Sequence, residues 1–221
     1  MDRDEGGDGG LAAAEIGDAV HAVLERLDLS SPALPSRPRL EEIVRSRYPR
    51  ATQEAIERVQ ALVAGYCSSS LACRLSSLPG LVSEQPFAFE HEGVLLHGRL
   101  DVLHVSSGRA LVVDFKTNAL AGTPPARVVE DEYRTQRLVY ALACLRAGAE
   151  EVEVVYQFLE QPEDTVWALF SRADLPRLER DLSAEIARIR EGRFPPRPSE
   201  IACSGCPVLD VVCAGPRLAH G

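Results

Sequence analysis

The chain has 221 residues, 45% of them hydrophobic and 26% charged, which is enough for one domain with a real core and typical of a soluble globular protein. No apolar run approaches the ~20 residues that span a bilayer, and no charged n-region precedes an apolar h-region, so the expected compartment is the cytoplasm with no membrane partner. A formal net charge of −9 argues against a protein that wraps nucleic acid over its whole surface; any DNA contact has to come from a local patch, a bound metal or a larger assembly.

In chain order, residues 1–12 are rich in Asp, Glu and Gly and read as a flexible acidic lead-in. From Leu11 to Leu27 the pattern is helical, with Ile16, Val20, Val23, Leu24 and Leu27 on one stripe. Gly17 and His21 stand at i and i+4 on the border of that stripe, so His21 points to the core edge. Taken alone, such a histidine reads as a half-buried residue with a satisfied ring. Ser30 to Arg39 holds three prolines and reads as a loop, and Pro49 separates helices over Leu40–Tyr48 and Thr52–Leu75.

The chemistry is concentrated in the next stretch. A strand region opens at Pro86, turns at His91-Glu92-Gly93 and continues through Val94–Leu103. Ser106-Ser107-Gly108 is a turn signal, so this strand and the run Leu111-Val112-Val113-Asp114-Phe115-Lys116 form a hairpin. Period-two alternation puts Asp114 and Lys116 on one face and Phe115 on the other. The hairpin brings Asp101 alongside, so one corner of a sheet holds Asp, Asp and Lys. That combination suits a divalent cation with a charge stabiliser or base beside it. All but one of the 24 basic residues are arginine, and Lys116 is the exception. A compact ammonium does what a planar, permanently charged guanidinium does not.

Thr117 to Pro125 is a loop, followed by a long helix over Ala126–Ala147 that Gly148 ends. Leu138, Leu142 and Leu145 form one apolar stripe, and Val129, Tyr133, Gln136 and Tyr140 form another, so the helix is expected between layers. Gln136 is either a buried hydrogen-bonding residue that fixes the helix or a polar group facing the site. Strands over Val152–Leu159 and Val166–Phe170 follow, then a helix signalled by Asp174 and Pro176, striped by Leu175, Leu178, Leu182, Ile186 and Ile189, and ended by Gly192. Its arginines read as a solvated face balanced by Glu179, Asp181 and Glu185. The order of elements implies an α/β fold, a central mixed sheet flanked by helices.

The series Gly17-x3-His21, Gly98-x2-Asp101, Asp114-Phe115-Lys116 and Tyr133-x2-Gln136-x3-Tyr140 resembles the RecB-type nucleases of the PD-(D/E)XK superfamily, in particular the C-terminal nuclease domain of RecB, AddA and UvrD-like helicase-nucleases. The resemblance implies a restriction-endonuclease-like core over residues 13–200. It also implies that His21, Asp101, Asp114 and the Phe115 carbonyl bind Mg²⁺ or Mn²⁺, and that Lys116 orients water or neutralises transition-state charge. Gln136, Tyr133 and Tyr140 would shape the site and position DNA. The implied activity is metal-dependent DNA hydrolysis at ends, in recombination or repair, with a superfamily 1 helicase in cis or in trans. The chain has no Walker A motif of its own. The alternative is a non-catalytic DNA-binding or scaffolding module of such a complex.

Residues 201–221 form a cysteine-bearing tail. Cys203-x2-Cys206-Pro207 and Cys213 are close enough to suggest a metal or cluster site. The pattern is similar to the C-terminal part of the 4Fe-4S staple of AddB-type and CRISPR-associated RecB-like nucleases, whose fourth cysteine lies upstream of the Gly-x3-His motif. No cysteine precedes Cys67 here, so Cys67, Cys73 or Cys144 would have to substitute unless the fourth ligand lies outside this chain. Zn²⁺ and free thiols are the alternatives, and Cys144 reads as buried packing.

Overall fold

The computed structural model describes residues 10–120, 122–192 and Cys203. Four helices come first: α1 (Ala13–Leu24), α2 (Arg37–Arg47), α3 (Gln53–Cys67) and α4 (Ser70–Ser76). Strands β1 (Val82–His91), β2 (Val94–Ser106) and β3 (Arg109–Lys116) follow. Helices α5 (Pro125–Glu132) and α6 (Arg134–Arg146) then lead to β4 (Glu151–Phe158), β5 (Thr165–Ser171) and α7 (Leu175–Arg190). The sheet order is β1-β2-β3-β4-β5, antiparallel except for the parallel β3–β4 pair. A parallel neighbour needs a crossover, and α5–α6 supplies it.

Helices cover both faces, as the α/β reading requires. Val20, Val59, Val63 and Tyr66 pack with Val113, Phe115 and Val155 in one core. Ala141, Leu142, Leu145 and Leu182 pack with Val112, Val154 and Tyr156 in the other. This explains why β3 is a continuous apolar run rather than an alternating one: from Ala110 to Phe115 every residue is buried. Among the described residues no helix is long and apolar enough to cross a membrane.

Two helices expected to be continuous are broken, each for an identifiable reason. The Thr52–Leu75 segment divides at Ser68 and Ser69. Ser69 Oγ accepts from the Ala72 amide at 3.1 Å and from Gln157 Nε2 at 3.0 Å, so this serine caps α4 instead of continuing α3. The Ala126–Ala147 segment divides at Tyr133, whose φ of −114° and ψ of 7° lie in the bridge region. Tyr133 therefore does not share a helical stripe with Gln136 and Tyr140. Its ring stacks on Tyr156 at 5.8 Å instead. Two further boundaries shift: α2 begins at Arg37, inside the expected loop, and β1 begins at Val82, ahead of Pro86.

Glycine ends α6 and α7 as expected, with Gly148 at φ +108° and Gly192 at φ +66°. Two of the α7 arginines are ion-paired at the surface, Arg177 with Asp174 and Asp181, and Arg188 with Glu185.

Candidate active site

The β2–β3 ladder sets the site. Its paired residues run from Ser106–Arg109 to Val102–Val113, so Asp101 and Asp114 are the next residues along the two strands. Phe115 turns towards α3, where its ring meets Tyr66 edge-on at 4.9 Å, and Asp114 and Lys116 turn towards α6. The period-two expectation holds here.

Asp114 is almost sealed, its side chain 3% exposed. Its Oδ1 accepts from the Tyr140 hydroxyl at 3.0 Å. Its Oδ2 lies 2.6 Å from Lys116 Nζ, an ion pair by distance, yet it receives no directed hydrogen bond. The Lys116 ammonium donates to Gln136 Oε1 at 2.9 Å and sits 4.0 Å from the centre of the Tyr133 ring, a cation–π contact. Gln136 Nε2 in turn donates to the Tyr140 hydroxyl at 2.9 Å. Gln136 is thus half-buried and hydrogen-bonded to both Lys116 and Tyr140. Burial, with the Asp114 and Asp101 charges, pushes the Tyr140 phenol well up, so it remains a donor.

On the other side, Asp101 Oδ2 accepts the Phe115 amide at 2.7 Å. His21 reaches the same main chain, with Nε2 3.1 Å from the Phe115 carbonyl and Nδ1 3.6 Å from Asp101 Oδ2. Burial first, and then the charge of Asp114, pushes Asp101 up to about 7, against the opposing pull of His21 and the Phe115 amide. The position of Gly17 explains how α1 comes this close: a Cβ there would lie 2.7 Å from Thr117 Oγ1, directly after Lys116. Only glycine lets α1 approach the end of β3 without displacing that threonine.

Two residues that the sequence motifs do not include also reach this region. Asn118 Oδ1 accepts from the Tyr133 hydroxyl at 3.2 Å, anchoring the ring that covers Lys116. Glu84 of β1 lies between the register pairs Ser83–Val102 and Gln85–Leu100, beside Asp101, and has a φ of +52°. One ligand atom each from His21, Glu84 and Asp101 fall within 4.8 Å of one another. A carboxylate–imidazole donor set of this size fits a hard divalent cation. The Phe115 carbonyl, also expected as a ligand, is engaged by the His21 ring. No sequence signal marks Glu84, because the strand pattern becomes legible only at Pro86 and the partner of Glu84 depends on register.

Of the cysteines, Cys203 is a half-buried free thiol, while Cys206 and Cys213 lie outside the described residues. Cys144 is buried in α6, as expected of a packing residue, Cys67 is half-buried and Cys73 is exposed.

A family model of the PD-(D/E)XK nuclease superfamily matches residues 2–213. The chain is 27% identical over 165 residues to an ATP-dependent helicase/nuclease subunit of Bacillus cereus, covering 61% of this chain and 12% of that protein. It is likewise 27% identical over 177 residues to the corresponding ATP-dependent helicase/nuclease protein of Enterococcus faecalis, covering 67% and 13%. The matched part is thus a small fraction of the curated relatives. Among solved structures, a protein from Eubacterium rectale described as a candidate exonuclease superposes with a TM-score of 0.51 at 15% identity, over 89% of this chain and 75% of the other. Five mixed strands between two helical layers, with Asp101, Asp114 and Lys116 meeting where the β2–β3 ladder ends, accord with that match: the chain belongs to the PD-(D/E)XK nuclease superfamily.

Proposed function

We propose that this nuclease is a Mg²⁺- or Mn²⁺-dependent deoxyribonuclease that hydrolyses phosphodiester bonds at DNA ends, in recombination or repair. The observation that carries the reading is a pair of networks, His21–Phe115–Asp101 and Asp114–Lys116–Gln136–Tyr140, that meet at adjoining residues of β3 and set carboxylates and an imidazole beside a largely buried ammonium. The names of the relatives support a helicase acting in cis or in trans.

A bound cation would supply Lewis-acid polarisation of the scissile phosphate and a more acidic water. His21, Asp101 and Asp114 would hold it, together with the second lone pair of the Phe115 carbonyl, the first being taken by His21. The side chains divide the remaining work. Lys116 is held at a fixed place by Asp114, Gln136 and the Tyr133 ring, so its charge is pre-organised for the extra negative charge that develops on the phosphoryl oxygens. Gln136 orients the ammonium through Oε1 and the Tyr140 hydroxyl through Nε2. Tyr140 holds Asp114 by donating to Oδ1, leaving Oδ2 as the oxygen that can turn to a ligand.

The deciding experiment is degradation of linear and circular DNA, single- and double-stranded, with Mg²⁺ or Mn²⁺. Linear substrates are expected to be degraded by the wild-type chain, and Asp114→Ala is expected to lower the rate by at least a hundredfold. Equal behaviour of the two proteins would refute catalysis and leave the non-catalytic module. Fast cutting of closed circles would refute the preference for ends.

A further inference from the structure

We infer that Glu84 is a further direct ligand of the active-site cation, joining His21, Asp101 and Asp114. This deepens the proposed function and rests on it. The first support is proximity across three separate elements. Glu84 comes from β1, Asp101 from β2 and His21 from α1, yet their ligand atoms meet within 4.8 Å. Opposed ligands of an octahedral Mg²⁺ stand about 4.2 Å apart and adjacent ones about 3.0 Å, so side-chain movements of about 1–2 Å bring the three groups into one coordination sphere.

The second support is the pattern of lone pairs. The His21 Nε2–H donates to the Phe115 carbonyl, so Nδ1 is the ring atom left with a lone pair in the neutral imidazole. That nitrogen faces Asp101 Oδ2 across 3.6 Å. Two electron-rich atoms face each other there with a second carboxylate, Glu84, alongside. The three make a donor set that one shared cation satisfies.

The third support is how the positive charges are distributed. Lys116 is committed to Asp114, 2.6 Å away. Arg99 lies 3.5 Å from Glu84 Oε2, but its side chain is 66% exposed, so water screens most of that attraction. Glu84, itself 22% exposed, remains available to a cation entering from solvent. Asp114 is held more tightly, with Tyr140 on one oxygen and Lys116 facing the other, so Glu84 is the more freely offered of the two carboxylates.

The test is Mn²⁺ binding to the full chain without DNA, read by titration calorimetry and by the electron paramagnetic resonance spectrum of the bound ion. Glu84→Gln keeps the shape and removes the charge. Glu84→Asn is a second variant, because asparagine tolerates the positive φ and is too short to reach. Both are expected to weaken Mn²⁺ binding at least tenfold and to alter the spectrum, as Asp101→Asn does. Arg99→Gln, which breaks the ion pair but keeps the carboxylate, is expected to leave binding unchanged or tighter. Glu84 variants within twofold of wild type, beside a defective Asp101→Asn, would overturn the ligand role and leave the nuclease reading standing. Mn²⁺ binding indifferent to Asp101→Asn and Asp114→Asn as well would overturn the cation site itself.

Discussion

Asp101 offers a stability measurement with an unusual sign. Its carboxyl is pushed up to about 7 in the folded, metal-free chain, whereas an unfolded aspartate titrates near 3.9. Between those values the folded state holds a proton that the unfolded state has lost. Stability from this group is therefore fully present below about pH 4 and is lost as pH rises through about 7. The slope is at most ~1.4 kcal/mol per pH unit, and integrated from pH 7 down to pH 5 it amounts to roughly 2 kcal/mol. The side chain is 14% exposed, so little solvent screening discounts it. For a domain of this size that is roughly 4–8 °C in melting temperature. The assay is calorimetric unfolding with chelator present, at pH 5, 6 and 7, of wild type and Asp101→Asn. The wild-type curve minus the variant curve isolates the group and is expected to fall with pH. Added Mn²⁺ reverses the trend, because a cation competes with the proton: its apparent Kd rises up to tenfold for each pH unit below 7. A difference curve that is flat, or that rises with pH in chelator, would show that Asp101 is not a buried carboxyl held protonated by its neighbours.

The remaining predictions concern the frame around it. Gly17→Ala places a Cβ 2.7 Å from Thr117 Oγ1, so chemical denaturation should show a loss of about 1–3 kcal/mol and nuclease assays a drop in rate as His21 moves. Adding Thr117→Ala should return at least half of that stability; a strictly additive double mutant would mean that the contact is not the cause. Tyr140→Phe deprives the buried Asp114 Oδ1 of its donor and should cost about 1–3 kcal/mol, read by urea midpoint, with slower hydrolysis. Lys116→Met leaves a nearly sealed carboxylate unpaired, so a loss of about 3–5 kcal/mol is expected together with inactivity. Lys116→Arg should restore part of the stability but not the rate. Asn118→Ala frees the Tyr133 ring that covers the ammonium, and a change in rate without a change in Mn²⁺ affinity is the expected split.

What the sequence showed and what it hid follow from one distinction. Residue types at fixed local spacing were readable: the Gly108 turn, and Asp114 and Lys116 on one face, follow from punctuation and period. Gln136 stood out because it interrupts an apolar stripe, and in the fold it holds Lys116 and Tyr140. Breaks that depend on tertiary partners were not readable. Ser69 becomes a cap partly because Gln157, on β4, donates to its hydroxyl. Tyr133 leaves the helix to lie over Lys116 and against Tyr156. Glu84 was hidden for a related reason: it faces Asp101 only once the β1–β2 register is set, and Leu100, Val102 and Leu103 show that simple alternation fails there. Leu100 and Leu103 pack on the α6 side, and Val102 packs on the α1 side.

The single lysine ties stability to chemistry. A carboxylate buried as deeply as Asp114 is costly unless a partner charge and hydrogen bonds replace its water. Lys116 and Tyr140 provide both, in a space walled by the Tyr133 and Tyr156 rings, 4.0 and 5.5 Å from the ammonium. A guanidinium brings a planar fork that needs more room and more acceptors than one free carboxylate oxygen and one amide oxygen offer. In a chain whose other basic residues are all arginine, lysine at this position follows from the shape of the enclosure. The contacts that make the buried Asp114 tolerable are the same ones that fix a point charge beside the cation cradle. In the proposed mechanism the ammonium is therefore already placed, and catalysis would have no further side-chain ordering to perform there.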